Sequence, residues 1–129
     1  MKKIFLTGLI FLVLIIAGCG GGFTGDISLL EPSGNLENGV RVIDATAFRY
    51  DFDPNPIVVN KGDRVKIVMT STDVTHGFLL PDYKINTLLS PGRPTTIEFV
   101  ADKQGTFKFL CSVLCGSGHG SMKGTLVVK

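Results

Sequence analysis

Residues 111–122, with the sequence CSVLCGSGHGSM, place four potential metal ligands in the order Cys-x3-Cys-x3-His-x2-Met. Thiolate, thioether and imidazole groups together suit copper best and zinc second. A mononuclear electron-transfer copper site uses one Cys with His and a weak axial Met, so the second Cys exceeds what such a site needs. Because a contiguous loop rarely encloses a metal by itself, we expect the fold to bring a further ligand to this segment.

Short runs of β-forming residues recur from residue 40 onward, and turn signals rich in Pro, Gly, Asn and Asp separate them. The predicted strands cover residues 40–43, 47–52, 57–59, 64–69, 95–100, 106–110 and 124–128. Strands of this length and spacing are typical of an all-β sandwich or barrel. We find no convincing long helix and no internal repeat. On this strand map, residues 111–122 form the loop between the last two strands.

The first eighteen residues have the layout of a secretory signal. Lys2 and Lys3 precede an almost unbroken apolar run over residues 4–16, which ends in small residues before Cys19. Small residues followed by Cys resemble a bacterial lipoprotein cleavage site. We therefore predict a lipoprotein-type signal over residues 1–18, with Cys19 as the lipidated first residue of the mature chain.

An uncleaved transmembrane helix is the alternative for this segment. Residues 4–18 would span about 22 Å as a helix at about 1.5 Å per residue, which is short of the roughly 30 Å hydrocarbon core of a bilayer. This shortfall favours the lipoprotein signal. Both interpretations place the domain on the extracytoplasmic side of the cell membrane and tether it there.

Residues 19–39 are rich in Gly, Ser, Asn and acidic residues and lack strand or helix periodicity, so we predict a flexible tether there. The folded domain is predicted to cover residues 40–129. The chain has 13 basic and 11 acidic residues. Lys2 and Lys3 account for the excess of basic over acidic residues. The mature domain is therefore close to neutral, which argues against a nucleic-acid partner.

The chain has only two histidines, and the one outside the loop, His76, follows the predicted strand 64–69. Two Cys, two His and a Met fit a dinuclear copper site. We predict that two copper ions are bridged by the thiolates of Cys111 and Cys115, and that each ion takes one imidazole. These are the predicted ligands: His76, Cys111, the backbone carbonyl of Val113, Cys115, His119 and, as a weak axial sulfur, Met122. The loop glycines Gly116, Gly118 and Gly120 are expected to permit positive φ angles.

Two other interpretations of these residues stay open. Tetrahedral zinc accepts two Cys and two His, although this leaves Met122 unused and gives no redox role. A disulfide between Cys111 and Cys115 is the usual state of paired cysteines outside the cell, but it does not account for His and Met at ligand spacing. With copper bound by all these groups, no coordination position is left for a substrate, so electron transfer is expected rather than catalysis. No nucleophile motif or phosphate-binding loop is present elsewhere.

The CSxxCGxxHxxM pattern, together with the upstream DVxHGF pattern of residues 73–78, resembles the CuA domain of cytochrome c oxidase subunit II. The resemblance covers residues 45–129, and residues 53–57 and 88–92 are similar to the B-family (ba3-type) of that subunit. It implies a cupredoxin-like fold, which is a Greek-key β-sandwich or barrel, and the same six copper ligands. It also implies subunit II of a haem-copper terminal oxidase in a respiratory chain. Such a subunit accepts electrons from cytochrome c or a small copper protein and passes them to haem in subunit I.

The chain departs from that family in three ways. Val113 stands where many members have Glu, and the chain has no Trp, the residue through which many members accept electrons. The aromatic cluster of residues 48–52 is the candidate replacement, or else simply strand core. The predicted lipid anchor would take the place of the usual transmembrane helices. The alternative function is therefore a stand-alone, membrane-anchored CuA lipoprotein that carries electrons or delivers copper. Nitrous oxide reductase, which also carries CuA, would need a second large domain.

Overall fold

The structure is a computed structural model and describes residues 25–129. The predicted signal segment 1–18 and the predicted lipidation site Cys19 lie outside the described residues. The strands are β1 (Asn35–Glu37), β2 (Val40–Phe48), β3 (Asp51–Asp53), β4 (Ile57–Val59), β5 (Arg64–Ser71), β6 (His76–Leu80), β7 (Ile85–Leu89), β8 (Thr95–Val100), β9 (Gly105–Leu110) and β10 (Lys123–Val128). Single 3-10 turns cover Ile27–Leu29, Pro81–Tyr83 and His119–Ser121. None of the helical turns in residues 25–129 is long and apolar enough to cross a membrane.

The strands form two five-stranded sheets. The first has the order β1-β2-β5-β8, with β3 also paired to β2, and the second has the order β4-β10-β9-β6-β7. Strand β2 runs parallel to β5, and β4 runs parallel to β10, whereas the other pairs are antiparallel. The all-β sandwich predicted from the strand pattern is therefore confirmed.

The core lies between the two sheets and follows from the alternation of apolar residues. In β5, Val65, Ile67 and Met69 are buried while the residues between them are more exposed, as expected for a strand with one face against the core. Three aromatic rings, those of Phe52, Phe78 and Phe109, meet with centroids 5.0 to 6.0 Å apart. Phe78 lies two residues after His76, so this aromatic cluster supports the end of the sandwich that carries the predicted ligands.

The predicted boundary between tether and domain at residue 40 differs from the structure. Residues Asn35–Glu37 form strand β1, which pairs with β2. The backbone N–H of Ser33 donates to the carbonyl of Val58 at 2.7 Å, and its hydroxyl accepts from the Val58 N–H at 2.9 Å. The folded domain therefore begins before Val40. A three-residue strand made of exposed residues is too short to produce a recognisable period in the sequence.

Besides β1, two further strands, β6 and β7, were not predicted. Strand β6 pairs on both sides, with β7 and with β9, and four of its five residues are buried. Such a strand shows a continuous run rather than an alternating pattern, so its sequence HGFLL carries no period-2 signal. The bounds of the predicted strands 40–43 and 47–52 also differ from the structure. Strand β2 continues unbroken to Phe48, and Arg49 and Tyr50 form the turn into β3.

Candidate metal centre

The segment 111–122 is the connection between β9 and β10, as predicted. The backbone N–H of Cys111 donates to the carbonyl of Met122 at 3.1 Å, which closes the loop at its base. Within the loop, the N–H of His119 donates to the carbonyl of Gly116 at 3.1 Å. These hydrogen bonds fold the segment back on itself, so residues several positions apart in sequence come together.

The loop brings its sulfur and nitrogen atoms into one cluster. Cys111 Sγ lies 3.8 Å from Cys115 Sγ and 3.1 Å from the carbonyl oxygen of Val113. Cys115 Sγ lies 3.7 Å from His119 Nδ1 and 3.7 Å from Met122 Sδ. The two thiols and the other three predicted ligand groups of the loop therefore lie together in one cluster.

The sixth group, His76, enters from the first residue of β6. Its Nδ1 lies 3.8 Å from Cys111 Sγ, and the ligand atoms of His76, Cys111 and Cys115 all lie within 4.8 Å of one another. The N–H of Gly77 points at Cys111 Sγ across 3.5 Å. Within residues 25–129 this is the one group of three or more His, Cys, Asp or Glu side chains with converging ligand atoms.

The two sulfur atoms are placed for a metal rather than for each other. Their separation of 3.8 Å is well beyond the roughly 2.05 Å of a disulfide, and both cysteines are free. Two metal–sulfur bonds of about 2.3 Å each can span that distance. Because the converging donors are soft sulfur and imidazole nitrogen in a dry site, the residues fit copper.

Burial shapes the electrostatics of this cluster. His76, Cys111, Cys115 and Met122 are all buried. Burial, together with the neighbouring Cys111, raises the pKa of the Cys115 thiol above its ordinary value. Without a metal, this thiol therefore holds its proton at neutral pH, and a cation is needed to stabilise the thiolate.

Asp73, which holds the imidazole of His76, was not predicted as a site residue. Asp73 Oδ1 lies 2.7 Å from His76 Nε2, and the carboxylate also accepts from the N–H groups of Arg49 at 2.7 Å and Val74 at 2.6 Å. Burial acts to raise its pKa, but these hydrogen bonds outweigh it and lower the pKa of Asp73 to about 2. An Asp three residues before a predicted His ligand was the available sequence signal.

The turn between β2 and β3 covers the loop from one side. Arg49 Nε donates to the carbonyl of Cys115 at 3.0 Å, and the Tyr50 hydroxyl lies 3.5 Å from Ser117 Oγ. The hydrogen bond with Ser117 lowers the pKa of Tyr50. Of the aromatic cluster 48–52, Tyr50 therefore lies at the loop, whereas Phe52 belongs to the core.

The loop glycines serve a partly different purpose from the predicted one. Gly116 has a positive φ of +139°, whereas Gly118 has φ −91° and Gly120 is not among the positive-φ residues. A Cβ at Gly118 would lie 2.6 Å from Tyr50 Cγ, while one at Gly120 would meet nothing within 4 Å. Gly118 is therefore required by the close approach of the tyrosine ring and not by its backbone angle.

One part of the loop surface, around Leu114, is apolar. Leu114, between the two cysteines in sequence, is 82% exposed. It lines a shallow depression together with Val74, Val113 and the Arg49 side chain. The predicted ligand Cys115, which is buried, also borders this depression.

Comparison with known proteins places this geometry in a family. Residues 32–129 match the family model described as cytochrome c oxidase subunit II, periplasmic domain. The chain is similar to cytochrome c oxidase subunit 2 of Thermus thermophilus, with 39% identity over 83 residues that cover 64% of this chain and 62% of that protein. The chain thus spans about three-fifths of the length of this relative.

Two solved structures share the fold. The periplasmic domain of subunit II of cytochrome oxidase of Bradyrhizobium japonicum superimposes with a TM-score of 0.65 at 26% identity, covering 76% of this chain and 86% of that one. A chain of a heme-copper terminal oxidase dimer matches with a TM-score of 0.62 at 28% identity, covering 81% of this chain and 75% of that one. The predicted cupredoxin-like fold is confirmed.

Proposed function

Because this chain belongs to the family of cytochrome c oxidase subunit II periplasmic domains, we propose that it is a dinuclear copper electron-transfer module and forms subunit II of a haem-copper terminal oxidase. The family consists of extracytoplasmic domains, so the described domain lies outside the cytoplasm. The observation that carries the proposal is the convergence of two thiols, two imidazoles, a thioether and a carbonyl oxygen at one end of the sandwich.

A pair of copper ions would be held by His76, Cys111, the Val113 carbonyl, Cys115, His119 and Met122. When bound, such a pair of copper ions supplies reversible one-electron redox chemistry. The 3.8 Å separation of the thiol sulfurs supports this assignment. Zinc is the weaker candidate, because Met122 Sδ lies as close to Cys115 Sγ as His119 Nδ1 does and a thioether is not among the usual zinc ligands.

The protein's part in electron transfer is to keep the ligands fixed. His76 belongs to β6, and Cys111 directly follows β9, so both are attached to the rigid sandwich. The buried position of Met122 and both cysteines excludes water. Ligands that cannot rearrange limit the geometric change between oxidised and reduced states, and a small change lowers the barrier to electron transfer.

The proposed partners follow from the family and the surface. We propose that electrons arrive from cytochrome c or a small copper protein and leave to haem in subunit I. The similarity to a chain of a heme-copper terminal oxidase dimer supports association with such a complex. The apolar surface around Leu114 offers a short path to the buried ligands. We also propose that a lipid on Cys19 attaches the chain to the membrane.

The visible and EPR spectra of the copper-loaded protein test this function. We expect a purple protein with two copper ions per chain and an unpaired electron coupled equally to two copper nuclei. Coupling to a single copper nucleus, or binding of zinc in preference to copper, would refute the dinuclear assignment. Purification from its source membrane tests the partner: a haem-bearing subunit should accompany the chain, and isolation of the chain alone would argue for a free-standing carrier.

A further inference from the structure

The two histidines of the candidate centre are held in different ways. His76 is fully buried, with Nε2 2.7 Å from the Asp73 carboxylate and Nδ1 3.8 Å from Cys111 Sγ. His119 is only partly buried, and its Nδ1 lies 3.7 Å from Cys115 Sγ. Among residues 25–129 no side chain forms a hydrogen bond with His119 Nε2. Only one of the two imidazoles is therefore fixed at both ring nitrogens.

We propose that Asp73 is a positioning residue that holds His76 in the single tautomer able to bind copper through Nδ1. This inference rests on the proposed function for the identity of the metal. A neutral imidazole carries one N–H, and a carboxylate can only accept, so the proton belongs on Nε2. The lone pair then lies on Nδ1, which faces the thiols before any metal arrives. Metal-bound imidazoles are commonly oriented by such a carboxylate.

Asp73 is itself held rigidly enough to perform this role. Its carboxylate accepts backbone N–H groups from Arg49 and Val74, which fixes the orientation of both oxygens. Arg49 also donates from its side chain to the carbonyl of Cys115. The β2–β3 turn therefore links the segment that carries His76 to residues 111–122, the ligand loop. His76 and the thiols are thereby prearranged as one unit.

The first test needs no metal. Long-range 1H–15N spectra of the metal-free protein, recorded well above the usual imidazole pKa of about 6.5, report the tautomer of each histidine. The chain has only two histidines, so His119 serves as an internal control. We expect a pure Nε2–H tautomer at His76 in the unmodified protein. An Nδ1–H tautomer, or a mixture of the two, would overturn the inference.

The second test uses Asp73→Ala, with Asp82→Ala as a matched control. Asp82 is exposed and its carboxylate forms no side-chain hydrogen bond in residues 25–129. We expect the His76 tautomer to become mixed in Asp73→Ala and the affinity for Cu(I) to fall about 10- to 100-fold, as for other carboxylate partners of metal-binding imidazoles. Asp82→Ala should change neither. Unchanged tautomer and affinity in a folded Asp73→Ala protein would refute the role of Asp73.

These tests separate the inference from the proposed function. The tautomer of His76 in the metal-free protein depends only on Asp73 and not on which metal binds. If the unmodified protein shows pure Nε2–H at His76 but forms no dinuclear copper spectrum, the positioning role holds and the proposed function fails. If the protein forms the dinuclear copper spectrum but His76 is not purely Nε2–H, the proposed function holds and Asp73 is not the residue that positions His76.

Discussion

Met122 and Met69 are both buried methionines, yet only Met122 lies next to a thiol, 3.7 Å from Cys115 Sγ. Leucine has nearly the volume of methionine, and such swaps in a core usually cost less than about 1.5 kcal/mol. We therefore expect Met122→Leu and Met69→Leu to lower the free energy of unfolding of the metal-free protein by similar small amounts. Only Met122→Leu should alter the copper spectrum and speed the loss of copper to a chelator. If Met69→Leu alters the spectrum equally, Met122 is not a specific ligand.

Cys111→Ser distinguishes a metal ligand from half of a structural disulfide. A hydroxyl is a poor ligand for copper where a thiolate is a good one. Because the two sulfurs are not bonded to each other, we expect the substitution to abolish dinuclear copper binding. The thermal midpoint of the metal-free protein should change little. A disulfide would give a different result. Cys111→Ser would then be much less stable than the untreated unmodified protein, but as stable as the unmodified protein after treatment with a reductant.

At the scale of elements, the β2–β3 turn and the ligand loop pack through Tyr50 and the loop glycines. A Cβ at Gly118 would overlap the tyrosine ring, whereas Gly120 has open space around it. We expect Gly118→Ala to lower the free energy of unfolding by about 1–3 kcal/mol, the usual cost of overpacking. Gly120→Ala should stay within about 0.5 kcal/mol of the unmodified protein. Urea denaturation of the metal-free proteins gives both values.

A double substitution shows whether Tyr50 is the cause of that cost. In Tyr50→Ala the ring is absent, so adding Gly118→Ala should cost much less than it does in the unmodified protein. Residues in contact commonly show coupling energies of 0.5–3 kcal/mol, here expected at about 1 kcal/mol or more. Strict additivity of the two substitutions would mean that the loop does not pack against the turn as the structure describes.

At the scale of the whole molecule, the proposed centre joins β6, β9 and β10 at one end of the sandwich. A ligand that binds the folded state alone stabilises it by about 2.7 kcal/mol at a free concentration of 100 times its Kd. We expect copper to raise the thermal midpoint of the unmodified protein. The Cys111→Ser, Cys115→Ser double variant should show no such rise. A rise of equal size in that variant would locate the stabilising copper elsewhere.

The sequence predicted the loop ligands because they are local. Cys111, Cys115, His119 and Met122 lie within one connection between two strands, so their spacing limits where they can go whatever the rest of the fold does. The alternating strands β5 and β8 were equally readable. Strand β6 was not, because burial on both faces removes the alternation. The short strand β1 was missed because three residues carry too little pattern.

The sequence by itself therefore determined the all-β class, the connection that holds the proposed sulfur ligands and the chemistry that such ligands favour. Only the tertiary structure decided which groups support them. Arg49 is 24 residues from Asp73 and 66 residues from Cys115, the two residues it contacts, and Tyr50 is 67 residues from Ser117. No periodicity connects positions so far apart. Their contacts exist because two sheets fold against each other and bring the β2–β3 turn onto the ligand loop.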